Sequence, residues 1–275
     1  MDYTLNIKGR LTDLSEPQVM GILNVTPDSF YAGSRTQTEA AIAGRACQIV
    51  AEGGTIIDVG ACSTRPGGEL ATEAEEMERL RFALPIVRRE QPQAVVSVDT
   101  FRPDVARMAV EEYGADIVND VGAPSTPQKN MFRMVSRLRV PYILTSRKAT
   151  LREMLLGFAE DVQQLRDLGQ KDIILDPGFG FGKTVEERTA QGVVCVDKNY
   201  EVLRQLERLQ VMELPVLVGI SRKSMIYKLL GVTPDDSLNG TTVLNTIALM
   251  KGASILRVHD VREAVECCRL MVECG

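Results

Sequence analysis

The chain has 275 residues, of which 44% are hydrophobic and 25% charged, and its formal net charge is −5. That balance suits one large domain or two small ones with a substantial core and argues against a disordered chain. Mild acidity removes any bulk attraction for nucleic acid or an anionic membrane, so an anion site must come from a local gathering of Arg and Lys.

Residues 3–14 alternate around Gly9 and are expected to form a hairpin closing the bottom of the domain. Eight short runs rich in Val, Ile and Leu then recur, at 19–25, 55–61, 94–100, 116–121, 141–146, 172–177, 216–221 and 254–260. Each is nearly continuous in apolar residues, the pattern of parallel strands covered on both faces. Amphipathic helical stretches lie between them, for example at 39–52, 73–89, 103–112, 151–168 and 200–209. Pro103 sits where a first-turn proline is tolerated. Gly114, Gly169 and Gly252 follow helical runs, as left-handed stops. Eight β-then-α units predict an α/β fold, a (β/α)8 TIM barrel forming one domain over 1–275; an open doubly wound sheet is the alternative.

No run of 18 apolar residues is present, and the opening Met1-Asp2-Tyr3-Thr4 lacks the pattern of a signal peptide. Cys47, Cys62, Cys195, Cys267, Cys268 and Cys274 form no C-x-x-C pair, so reduced thiols and a cytoplasmic setting are expected.

Chemistry in such a barrel sits beyond the C-terminal strand ends. Those ends are polar here: Asn24 and the stretch to Phe30, residues 63–68, Asp99-Thr100, Asn119-Asp120, 176–184, 219–224 and 257–260. Singly, an Asp or Asn after a strand is an ordinary cap, and a lone histidine such as His259 is an ordinary structural residue. Convergence of seven such ends on one mouth goes beyond capping. Asp99, Asn119 and Asp176 suit a flat heterocycle edged with N–H groups. Arg65, Lys223, Arg257 and His259 suit phosphate or carboxylate. The glycine-rich stretch 178–184 mimics a P-loop, but Pro177 occupies the position where its first glycine is required.

The runs GILNVTPDSF (21–30), SVDT (97–100), NDV (119–121), IILDPGFGFGKT (173–184), GISRKS (219–224) and RVHD (257–260), with STRPGG (63–68), resemble the dihydropteroate synthase family, in order from the first strand to the eighth. The resemblance implies that dihydropterin diphosphate and p-aminobenzoate are joined by a dissociative mechanism in folate biosynthesis, in a cytoplasmic homodimer that is a sulfonamide target. It implies that Asp99, Asn119, Asp176, Lys223 and Arg257 hold the pterin, with Asp99, Asp176, Lys223 and Arg257 serving the chemistry. Asn24, Arg257 and His259 would bind the diphosphate, with Mg2+ near Asn24. Thr64, Arg65, Pro66, Phe181, Lys223 and Ser224 would form the arylamine site, and the first two loops would become ordered on binding.

Three features depart from the family. The fifth strand ends Leu144-Thr145-Ser146-Arg147-Lys148, where a Met-His-Met-like string is usual; Cys62 stands where Glu is frequent; and 185–198 lengthens the loop after the sixth strand. A pterin-dependent methyltransferase and a non-catalytic pterin-binding paralogue are the rival functions. The loop strings argue against the first, and the retained Arg65, Lys223, Arg257 and His259 against the second.

Overall fold

The computed structural model describes residues 3–25, 35–62, 70–122, 128–181, 183–189 and 192–274. The strands are β1 (Thr4–Ile7), β2 (Arg10–Asp13), β3 (Gln18–Asn24), β4 (Ile56–Gly60), β5 (Val95–Asp99), β6 (Ile117–Asp120), β7 (Tyr142–Thr145), β8 (Ile173–Asp176), β9 (Thr184–Thr189), β10 (Gly192–Asp197), β11 (Leu217–Val218) and β12 (Ile255–Val258). The helices are α1 (Arg35–Ala51), α2 (Glu73–Glu90), α3 (Pro103–Glu111), α4 (Gln128–Leu138), α5 (Leu151–Asp167), α6 (Asn199–Arg204), α7 (Ser224–Leu230), α8 (Leu238–Met250) and α9 (Val261–Cys274). Among the described residues no helix is long and apolar enough to cross a membrane.

Eight strands form one parallel sheet in the order β11-β12-β3-β4-β5-β6-β7-β8. Its two edges meet through the Leu175–Val216 bridge, where Leu175 N donates to Pro215 O at 2.9 Å. The expected barrel is therefore what forms, rather than the open sheet. The expected N-terminal hairpin is β1–β2, paired from Thr4–Asp13 to Ile7–Arg10.

Alternation along the strands builds two cores. Outward-facing residues such as Leu23, Val59, Val98, Leu144 and Leu175 pack against the helices. Inward, at the N-terminal ends, Met20, Ile56, Ile117, Ile143, Ile174, Leu217 and Ile255 form an apolar floor, and Leu5, Ile7 and Leu14 of the hairpin pack onto it. Above this floor the inward positions turn polar. A one-residue slip of any strand would swap its polar and apolar sets, so burial of the outer face fixes the register that builds the site.

The helices start where local chemistry directs them. Thr72 with Glu75, and Thr150 with Glu153, form capping boxes at the starts of α2 and α5. Pro103 opens α3. Gly114, Gly169 and Gly252 take positive φ of 65°, 89° and 88°, as expected for stops. Two expectations need correction. The helix at 200–209 divides into α6 and a 3₁₀ segment, Leu206–Met212, because buried Leu206 and Leu209 are three residues apart, the repeat of a 3₁₀ turn. The long loop at 185–198 is largely an antiparallel hairpin, β9–β10, paired from Thr184–Asp197 to Thr189–Gly192.

Candidate active site

The inward polar layer is built from neighbouring strands. Asp58 on β4 lies in register with Ser97 on β5, and Asp99 at the end of β5 lies in register with Asn119 on β6. Arg257 on β12 reaches across the barrel and joins them. Its Nε donates to Asp58 Oδ2 at 2.6 Å and an η nitrogen donates to Asp99 Oδ2 at 2.6 Å. Asn119 Nδ2 also donates to Asp58 Oδ2, at 3.1 Å. Burial works against the Arg257 charge, but Asp58 and Asp99 outweigh it and raise its pKa above the ordinary value. Burial likewise pushes the Asp99 carboxyl up; Arg257 pulls it back, and the neighbouring Asp58 charge pushes it up again. A charge cluster this deep persists because every member is paired. Three buried atoms here, Asp58 Oδ1, Asn119 Oδ1 and Ser97 Oγ, nevertheless have no protein partner. Unused hydrogen-bonding capacity in a buried layer is the mark of a polar ligand site.

A second group faces the first. Asp176, buried at the end of β8, accepts from Gly178 N at 2.7 Å through Oδ1 and from Thr145 Oγ1 at 3.4 Å through Oδ2. Burial raises its pKa, countered first by Lys223. Lys223, just before α7, donates to the Phe179 carbonyl and lies 4.8 Å from the Phe181 ring centre. Burial pushes its ammonium down to about 8 against the pull of Asp176. Lys183 is almost wholly enclosed, donating to Ser146 O at 3.3 Å and Phe181 O at 3.2 Å, and burial pushes it down to about 8 as well. The glycine-rich turn is packed too tightly for any side chain at Gly178: a Cβ there would fall 2.1 Å from Ser146 O.

At the rim, Asn24 ends β3. Its Oδ1 and Asp99 Oδ2 lie 3.4 and 3.5 Å from where a Cβ on Gly60 would stand, so the bare glycine lets the two oxygens share one corner. His259 is held through its backbone: its N–H donates to Ser221 Oγ at 3.2 Å and its carbonyl accepts from Arg45 at 2.6 Å. Ser224 begins α7 beside Lys223. Arg222, at φ 53°, grips Asp260 through two bonds of 2.9 and 2.8 Å, which locks this loop. Asp120, unlike Asn119, turns outward and accepts from Tyr142 Oη at 2.7 Å. Thr64, Arg65 and Pro66, together with the expected ordering of the first two loops (26–34 and 63–69), lie outside the described residues.

The structure thus brings Asp99, Asn119, Asp176, Lys223 and Arg257 to one barrel mouth, with Asn24, His259, Phe181 and Ser224 around it. Sequence reasoning missed Asp58, Lys183 and Arg45. The signal for Asp58 is a carboxylate in the middle of an otherwise apolar strand, where burial demands a partner. Arg45 was hidden in a helix, from which it donates to Ile22 O at 3.2 Å and to His259 O. Among the described residues no group of three or more His, Cys, Asp or Glu could hold a metal. The five described cysteines are free thiols.

A closed parallel barrel with acceptors and cations gathered at its C-terminal mouth defines a barrel enzyme for a ligand that is polar and heteroaromatic at one end and anionic at the other. The family model described as pterin binding enzyme matches residues 20–259. The dihydropteroate synthase of Escherichia coli is 36% identical, over 96% of this chain and 94% of its own. Two structures of Xanthomonas albilineans dihydropteroate synthase superpose closely. The one with 4-aminobenzoic acid has a TM-score of 0.85 at 34% identity, covering 100% of this chain and 98% of its own. The one with 7,8-dihydropteroate has a TM-score of 0.82 at 32% identity, covering 99% and 98%. The chain belongs to the dihydropteroate synthase family of pterin-binding enzymes, which are transferases.

Proposed function

We propose that this chain, as a single domain over 1–275, condenses 6-hydroxymethyl-7,8-dihydropterin diphosphate with p-aminobenzoate, giving 7,8-dihydropteroate and diphosphate. The observation that carries the reading is the buried layer around Arg257: a guanidinium shared by Asp58 and Asp99, beside Asn119 and opposite Asp176, with three buried polar atoms unpartnered. Asp176, Asn119 and Asp99 accept from and donate to the pterin edge, and Lys223 donates to its carbonyl side. Arg257, Asn24 and His259 receive the diphosphate. Phe181, Lys223 and Ser224, with Thr64, Arg65 and Pro66, form the arylamine site.

The reaction is dissociative. The bond between the exocyclic pterin carbon and diphosphate oxygen breaks, its electron pair leaving with the diphosphate. The arylamine nitrogen then supplies a lone pair to the cationic carbon and loses a proton. Asp99 and Asp176 stabilise the developing cation and Arg257 the departing anion, in a site whose polar groups are already oriented. Asn24 Oδ1, sharing a corner with Asp99 Oδ2, fits a hard cation that takes most of its ligands from phosphate oxygens and water. Asn24 would hold Mg2+ there, and the ion, when bound, would supply charge neutralisation for the leaving group. A cytoplasmic homodimer completes the reading.

The test is incubation with dihydropterin diphosphate, p-aminobenzoate and Mg2+, with dihydropteroate and released diphosphate measured together. Stoichiometric appearance of both is expected. A folded, pterin-binding preparation that forms neither product overturns the reading.

A further inference from the structure

The altered end of β7 places a residue that none of the roles above uses. The Arg147 guanidinium carbon lies 5.3 Å from the centre of the Phe181 ring. One η nitrogen donates to Gly122 O at 3.1 Å and to Val121 O at 3.4 Å. Its side chain lies directly over Gly122, with Cδ 3.4 Å from where a Cβ would stand. Arg147 therefore ties the loop after β6 to the glycine-rich turn after β8. Behind it is a cavity of about 270 Å³, lined also by Asp120, Thr145, Ser146, Lys148 and Phe158 but not by Phe181. Arg147 is thus the side chain common to the aromatic wall and the cavity.

We infer that Arg147 is a specificity-determining residue of the arylamine site: it braces Phe181 and forms the partition between the arylamine slot and the cavity behind β7. The inference rests on the function proposed above. Removing the side chain frees one side of Phe181 and opens the slot into the cavity, so bulkier para substituents fit. It also removes one of the two cations against the ring, the other being Lys223, which has Asp176 as its adjacent counter-charge. An anionic para substituent such as carboxylate then loses attraction relative to a neutral one.

The test compares wild type with R147A, R147K and R147M by steady-state kinetics. KM is measured separately for p-aminobenzoate and dihydropterin diphosphate, and kcat/KM for 4-aminobenzoylglycine, whose para group is longer. For R147A, KM for p-aminobenzoate should rise about five- to tenfold, the scale of a lost, partly desolvated cation–ring contact. KM for the pterin diphosphate should stay within about twofold, and the preference for p-aminobenzoate over 4-aminobenzoylglycine should fall by about the same five- to tenfold factor. R147K, which keeps charge and ring contact but loses the fork that reaches two carbonyls, should fall between. If R147A does not fold, R147K and R147M carry the same comparison. Equal shifts in both KM values, or an unchanged preference ratio, overturn the inference while leaving the function standing. A wild-type enzyme that forms no dihydropteroate overturns both.

Discussion

Asp58 is the most consequential residue that the sequence did not reveal, and its replacement by Asn tests the architecture of the site. Its Oδ2 accepts from Arg257 Nε at 2.6 Å and from Asn119 Nδ2 at 3.1 Å, in a position with no solvent exposure. An Asn side chain can present its oxygen to both donors, so the packing survives. What is lost is half of the negative charge that compensates a buried guanidinium. Hydrogen bonds to charged groups contribute about 1.5–3 kcal/mol against about 1 for neutral ones, so Asp58→Asn should destabilise the protein by roughly 1–2 kcal/mol. Asp58→Ala leaves both donors unanswered and should cost about 3–5 kcal/mol, the range for breaking a buried pair. Urea denaturation at pH 7 measures both, and calorimetric titration of pterin into the Asn variant reports whether Arg257 still holds its place. If Asp58→Ala is as stable as wild type, Asp58 does not anchor Arg257 and the reasoning fails.

Arg257→Lys keeps the charge but cannot span Asp58 and Asp99 together, so kcat/KM should fall at least tenfold, about 1.4 kcal/mol; wild-type kinetics would remove Arg257 from the chemistry. Asp176→Asn replaces an acceptor with a donor at one oxygen, either against the Gly178 N–H or against the pterin, and should weaken pterin binding by roughly 2–4 kcal/mol; equal affinities by calorimetry would exclude the contact. Lys223, pushed down to about 8, is charged below that pH in the free enzyme and neutral above it. The pH profile of kcat/KM should therefore decline as pH rises through about 8, well before an ordinary lysine titrates. A profile flat to pH 10 contradicts the assignment.

The barrel was legible because its strands are buried on both faces, which writes them as apolar runs, and because stops such as Gly169 and Gly252 obey local steric rules. Asp99, Asn119 and Asp176 were legible because they stand at strand ends, where the chain meets the site. Asp58 stands deeper, in a run that otherwise reads as core; the lone carboxylate asks for a partner, and its cross-barrel bond to Arg257 shows which one. Arg45 is similar: its spacing on α1 identifies a helix face, not the carbonyls it meets on β3 and after β12. The hairpin β9–β10 is hard to see in the sequence because charged residues interrupt its strands and it comes after a glycine-rich turn. Nothing local in Arg147 indicates that it will lie against Phe181, since that contact is made by packing between two loops.

The hairpin packed beneath the floor makes the N-terminal end of the barrel an apolar plug and leaves the polar groups at the other end. Met20, Ile56, Ile117, Ile143, Ile174, Leu217 and Ile255, backed by Leu5, Ile7 and Leu14, fill the N-terminal end with buried apolar side chains. On the site assignment proposed above, both substrates of the condensation enter by the C-terminal mouth, the ligand for the deep Asp58–Asn119–Arg257 layer ahead of the one that stops at Phe181. An arylamine that arrives early stands in the path of the pterin, and the joined product must back out with its arylamine end leading. Excess of the shallow substrate should therefore slow loading of the deep one, a traffic rule imposed by a plugged floor rather than by any contact between the two molecules.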